Sequence, residues 1–221
     1  MKYPSKSRVV KFVDELASLR FENVFNPYAD CCAVHDHPDS AHIRKRNLTI
    51  FIEAALAIGV DSVWFGRDLG YRGGRRTGLA LTDEAHLHVL RLSFRNVPVK
   101  QATATSPVAE RTAQEIWKMV RQLPSPPFLW NAFPFHPHQP GEPMSNRCHT
   151  KREGQLCEDI LDTLLRWFRP TRVVALGQDA RRALSRLGQE SVYIRHPSYG
   201  GQAAFAAGVR ELYGLPTVAN P

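Results

Sequence analysis

Apolar side chains at Val9, Val10, Phe12, Val13, Leu16 and Leu19 recur at helical spacing, so residues 5–20 read as an amphipathic opening helix. From Phe21 to Ser40 the period is lost. Asn26-Pro27, the adjacent cysteines and Asp36-His37-Pro38-Asp39 are turn formers and polar residues, which predict a loop. Residues 41–58 regain a helical pattern that Gly59 ends. Four apolar runs of strand length follow, at Val60–Phe65, Phe128–Trp130, Val173–Leu176 and Val192–Ile194, each separated from the next by helical sequence. Ser106-Pro107 offers an N-cap and a first-turn proline for a helix reaching about Gln122. Thr150 and Glu153 have the spacing of a capping box, and Ile160, Leu161, Leu164, Leu165 and Phe168 give that helix its apolar face before Arg169-Pro170. Residues 178–187 and 202–213 supply two more helices. Strands alternating with helices predict an α/β fold whose short, mainly parallel four-stranded sheet is covered on both faces.

Composition adds bounds. A chain of 221 residues with 43% hydrophobic and 23% charged residues can bury a full core without disulfides, and 1–221 reads as a single domain with 1–59 as a helical segment packed on it. The longest apolar stretch, Ile50–Gly59, contains Glu53 and falls short of the ~20 residues that cross a bilayer. Met1–Lys11 is basic and polar, with no apolar region behind it to mark export. A cytoplasmic protein with no membrane partner is expected. Cys31, Cys32, Cys148 and Cys157 are too few and too irregular for a disulfide framework, so reduced thiols are expected. Against 21 acidic residues, 29 Lys and Arg leave a net charge of +8, which suits nucleic acid or a phosphorylated metabolite alike. A merely solvated basic surface is the plain alternative.

Ligands of such sheets sit beyond the carboxyl ends of the strands. After the first strand, Gly66 to Gly78 holds five glycines and four arginines, with Asp68 the only carboxylate. That mixture lets backbone approach a ligand closely while supplying positive charge, and no Gly-Lys-Ser/Thr closes it into a P-loop. After the second strand comes Asn131, then Phe133-Pro134-Phe135-His136-Pro137-His138. After the fourth comes His196-Pro197-Ser198-Tyr199-Gly200-Gly201. Singly, each piece reads equally well as a turn or a cap. Jointly, an acid, an amide and an imidazole converge on one edge of the sheet.

The order Gly-x-Asp-x-Gly, Arg-x-Thr-Gly-Leu, strand-Asn and His-Pro-Ser resembles the uracil-DNA glycosylase superfamily over residues 60–213. Arg75-Arg76-Thr77-Gly78 followed by Thr82-Asp83-Glu84, and the Pro-Gly-x-Pro-x-Ser-Asn-Arg run ending at Arg147, are similar to its bacterial branches. The resemblance implies a three-layer α/β/α sandwich and a DNA glycosylase that hydrolyses the N-glycosidic bond of a flipped-out modified pyrimidine, leaving an abasic site. Asp68 would stabilise the cationic sugar and orient water, and a neutral His196 would donate to the leaving base. Asn131 would read the pairing edge of the base in a pocket that includes Gly70, Tyr71 and Leu81. Arg72, Arg75, Arg76, Arg147, Lys151 and Arg152 would form the DNA face, with Ser198 gripping a phosphate and Tyr199 entering the vacated stack. No lysine lies within the three motifs, so a monofunctional enzyme is implied.

Three positions depart from the family pattern. Leu69 stands where proline is common, Leu81 where an aromatic ring stacks on the base, and Gly70 where one branch carries a tyrosine. The missing ring and wall leave room for a bulky 5-substituted cytosine, such as glucosylated hydroxymethylcytosine of phage DNA, beside uracil itself. Antiviral defence and DNA repair are the corresponding settings. A catalytically weak DNA-binding module and a nucleoside or nucleotide hydrolase are the competing readings; the retained Asp68 and His196 favour catalysis. No cofactor is expected. Cys157 falls where some branches place an iron–sulfur ligand, but Phe135 takes the preceding ligand's place and Cys31-Cys32 lacks a gap. A zinc site from Cys31, Cys32, His35 and His37 has irregular spacing. A monomer is expected.

Overall fold

The computed structural model describes residues 3–216, so both ends of the expected 1–221 domain lie outside the described residues. Ser5 caps α1 (Lys6–Ser18), which buries Val9, Phe12, Val13 and Leu16. After β1 (Val24–Phe25) comes α2 (Ser40–Ile58), closed by Gly59 at a left-handed φ of 73°. Then follow β2 (Ser62–Gly66), α3 (Gly74–Thr77), α4 (Leu87–Ser93), α5 (Arg111–Val120), β3 (Phe128–Asn131) and β4 (His136–Pro137). The remainder is α6 (Lys151–Gln155), α7 (Glu158–Phe168), β5 (Arg172–Leu176), α8 (Gln178–Arg186), β6 (Val192–Ile194) and α9 (Gln202–Tyr213).

The expected sheet forms. Its order is β3-β2-β5-β6 and every pairing is parallel. Trp64 packs edge-on against Phe205 of α9, while Phe128 stacks on Phe51 of α2 at 5.0 Å and on Phe168 of α7 at 4.3 Å. Helices therefore cover both faces, and one core runs from Val9 to Val209. Burying each such ring contributes roughly 1.5–3 kcal/mol. Among the described residues no helix is long and apolar enough to cross a membrane.

Three local expectations change. The helix expected from Ser106 starts only at Arg111, because buried Glu84 accepts the Val108 N–H and buried Asp83 accepts the Glu110 N–H, holding residues 106–110 extended. The capping box of Thr150 and Glu153 is present, but the helix it opens breaks after Gln155. The break leaves Glu153 with Arg147 while Cys157, Leu161 and Leu164 turn into the core. Lastly, β1 pairs antiparallel with β4 where loops are expected, which pins the Phe-Pro segment to the N-terminal region.

Candidate active site

The parallel register sets Gly66 opposite Asn131 and Leu176 opposite Ile194, so the loops that follow these residues crowd one edge of the sheet. They enclose a cleft of ≈ 480 Å³ whose walls include Asp68, Gly70, Leu81, Glu110, His196 and Tyr199. Size and concavity suit a single base or sugar.

Asp68 has a side chain only 5% exposed and is held from two sides. Arg67 donates from Nε to one carboxylate oxygen and reaches Asp179 with the other arm at 3.2 Å. His149 Nδ1 donates to the second oxygen. The His149 ring stacks on Phe133, with centroids 5.3 Å apart. Sequence reasoning missed this histidine: it directly precedes the capping box, and nothing local ties it to a carboxylate 81 residues upstream. An ionised carboxylate keeps acceptor capacity on both oxygens after two such bonds, so it can still receive water.

His196 is fixed from its other nitrogen. The Ser198 backbone N–H donates to Nδ1 at 3.2 Å and the Ser198 hydroxyl lies 2.8 Å from it, so Nδ1 accepts and the proton resides on Nε2. Burial, reinforced by the positive charges of Arg67 and Arg195, lowers its pKa to about 4. At neutral pH the ring is an uncharged donor.

Asn131 is 1% exposed and is absent from the cleft walls, where the pairing-edge role would put it. Both polar atoms of its carboxamide lack a hydrogen-bond partner. A Cβ on Gly66 would sit 2.4 Å from its Oδ1 and 3.0 Å from a Leu81 methyl, so both side chains crowd Gly66, and of the two only Leu81 lines the cleft. Leu81 itself has a φ of 55°, a costly conformation for a branched side chain.

The basic face differs from expectation. Arg75 and Arg76 are each 4% exposed and serve the fold rather than a surface. Arg75 lies 3.7 Å above the Phe25 ring and donates to His136 Nδ1, whose pKa burial and the Arg75 charge lower to about 3. Arg76 pairs with Glu84 at 2.7 Å and bonds Thr103 and Thr105. Buried guanidinium groups persist only when paired this way, and a run of arginines in sequence does not tell the paired from the free. Arg147 is on the cleft wall but is spent on Glu153 and on the carbonyl of His138. Arg72 is exposed and lies over the Tyr71 ring, with Nε donating to its hydroxyl at 2.9 Å. Lys151 and Arg152 are exposed at the start of α6, and Arg195, not singled out in the sequence, is exposed beside His196. Ser198 is half-buried, and Tyr199 stands 94% exposed at the rim with a left-handed φ of 50°.

The wall expected to be missing at Gly70 is present. The Glu110 carboxyl fills that space: a Cβ added to Gly70 would meet it at 3.0 Å, and one on Gly73 at 2.0 Å. No periodicity or motif marked Glu110.

All four cysteines are free thiols; Cys157 is fully buried, and burial pushes its thiol up to about 12. Among the described residues no three His, Cys, Asp or Glu side chains gather in a way that could hold a metal ion.

No protein-family model and no curated protein sequence matches the chain. Among solved structures, SMUG2 of Pedobacter heparinus aligns with a TM-score of 0.60 over 95% of each chain, at 13% sequence identity. At that identity the likeness shows a shared fold, and the α/β/α architecture is the class that the two chains have in common.

Proposed function

We propose that this protein is a monofunctional DNA glycosylase: the cleft takes a modified pyrimidine flipped out of DNA and hydrolyses its N-glycosidic bond. The observation that carries this is the pairing of an anchored carboxylate, Asp68, with a neutral imidazole donor, His196, on the walls of one cleft. Breaking the bond builds positive charge on the sugar and negative charge on the departing base, and the two groups answer those charges separately. Asp68 opposes the sugar charge and orients the attacking water; His196 Nε2–H donates to the base oxygen. A neutral donor suits this step because it needs no proton of its own to be lost or regained.

Supporting details come from around the cleft. The unpaired Asn131 carboxamide would gain both missing partners from the pairing edge of a base once Leu81 yields. Exposed Arg72, Lys151, Arg152 and Arg195 offer phosphate contacts, and exposed Tyr199 can enter the gap left in the stack. Among the described residues no lysine lines the cleft, which fits hydrolysis by water rather than through a Schiff base. The fold shared with SMUG2, a glycosylase of the uracil-DNA glycosylase superfamily, supports the same class. The substrate is uracil or a 5-substituted cytosine, the protein acts on DNA as a monomer without a cofactor, and repair or defence against modified phage genomes is its setting.

The test is direct. DNA carrying uracil, 5-hydroxymethylcytosine or its glucosylated form is incubated with the protein, and free base and abasic sites are measured. Asp68→Asn should slow base release by ~10²-fold or more while DNA binding persists. Undiminished release by that variant would overturn the mechanism.

A further inference from the structure

Glu110 carries a carboxyl group that the fold and the proposed chemistry leave unused. It lies on the wall of the same cleft as Asp68 and His196, yet its side chain makes no hydrogen bond or ion pair among the described residues. Its position is enforced from several sides. Asp83 Oδ2 accepts the Glu110 backbone N–H, Glu84 accepts the Val108 N–H, and Glu84 is itself locked to Arg76. Gly70 and Gly73 leave no side chain where a Cβ would collide with the carboxyl. Two glycines and two buried acids thus hold a bare carboxyl against the space where a ligand would sit.

We infer that Glu110 selects the base by accepting a hydrogen bond from an amino group at C4 or a hydroxyl on C5 of the flipped pyrimidine, so that bases with a donor there are favoured over uracil. This rests on the glycosylase reading and goes beyond it, because it names the chemistry that the pocket wall recognises. At C4 uracil offers a carbonyl acceptor where cytosine offers an amino donor, although uracil carries an N–H at N3 where cytosine does not; a hydroxymethyl group at C5 adds a further donor that uracil lacks. A carboxylate attracts the donors and repels the carbonyl; a protonated carboxyl can donate to the carbonyl instead.

The protonation state follows from the surroundings. Burial, seconded by the negative charge of Asp83, raises the Glu110 pKa from its ordinary value to about 7, against the opposing pull of Arg72. The charged groups facing it are Arg72 from the glycine-rich loop and Asp83 from the segment before α4; Asp83 is paired with His86. The carboxyl is therefore neutral below about pH 7 and ionised above it. Preference for donor-bearing bases should rise as pH increases through that point.

The experiment compares single-turnover release of uracil and of 5-hydroxymethylcytosine from otherwise identical DNA between about pH 6 and 8.5. Taking the ratio cancels groups that act on both substrates, Asp68 and His196 included. In the wild type the ratio of hydroxymethylcytosine to uracil release should climb about tenfold, the worth of a hydrogen bond to a charged group. In Glu110→Gln, which keeps the shape but cannot titrate, it should change less than about twofold. If only one of the two bases is released, its rate relative to Glu110→Gln should rise through pH 7 for the donor base or fall for uracil. A flat wild-type ratio overturns the inference, as does an unchanged slope in Glu110→Gln; the wild-type ratio decides alone if that variant does not fold. Release of none of uracil, 5-hydroxymethylcytosine and its glucosylated form sinks the glycosylase reading and this inference together, whereas release with a flat ratio sinks only the role of Glu110.

Discussion

Asp68 and Glu110 look into one cleft from two differently built regions. At the end of β2, Asp68 has a partner on each oxygen, Arg67 and His149. Ahead of α5, Glu110 has its backbone tied down by Asp83 while its carboxyl is left bare. A carboxylate that must oppose a developing charge needs a fixed position, and its partners supply one. A carboxyl that must find a ligand needs an open valence, and burial without a partner supplies that at a cost in stability. The role of a residue in the cleft thus follows from which partners already satisfy it.

The largest expected effect comes from cutting the anchor of the second region. Arg76→Ala leaves Glu84 buried and unpaired and frees the segment that carries Glu110, and urea titration should show a loss of about 3–5 kcal/mol. A loss within ~0.5 kcal/mol would mean that the pair does not hold that segment.

Next comes the first region. His149→Phe keeps a ring against Phe133 but removes the hydrogen bond to Asp68, and kcat should fall about tenfold with KM and melting temperature little changed. Equal activity would make His149 a packing residue.

The third effect is on stability and has a definite sign in pH. Because the folded Glu110 pKa lies near 7, above its ordinary 4.5, the folded chain holds this proton longer than the unfolded one. Its contribution therefore weakens as pH rises from 4.5 to about 7. Glu110→Gln escapes that loss, so its melting temperature should exceed the wild type's at pH 8 by about 2–4 °C and match it at pH 5. Equal melting temperatures at both values would deny the unpaired, half-buried state.

The smallest effect sharpens the same point. Arg72 is the cation that restrains the Glu110 pKa, so Arg72→Ala should move the midpoint of the base-preference curve upward, by less than about 1 pH unit. A downward shift would reverse the electrostatic account.

Much of the architecture was legible because its signals are local. The helix end at Gly59, the capping box at Thr150 and apolar runs of strand length name their elements through interactions within a few residues. The start of α5 was misplaced because Ser106-Pro107 is a sound helix opening by itself, and only Asp83 and Glu84, folded in from more than twenty residues away, keep it extended. Asp68 and His196 were legible as residues that follow strands in a parallel sheet. His149 and Glu110 carried no such mark, since each reaches the cleft by a contact distant in sequence.

Local patterning along the chain specifies the four strands of the parallel sheet and most of the longer helices, the edge where loops gather and the supply of an acid, an amide and an imidazole to that edge. Hydrophobic period, caps and chain connectivity are enough for this, because they act between near neighbours or constrain which ends of strands can meet. Which charges are free depends instead on contacts distant in sequence. Arg75, Arg76 and Arg72 are equivalent in the sequence, yet the first two are buried with His136 and Glu84 while the third faces solvent. The same distant contacts put Leu81 rather than Asn131 on the cleft wall and set Glu110 in the gap beside Gly70. Burial and pairing are properties of three-dimensional neighbours, and the same guanidinium or carboxyl becomes a brace or a reader according to which neighbours reach it first.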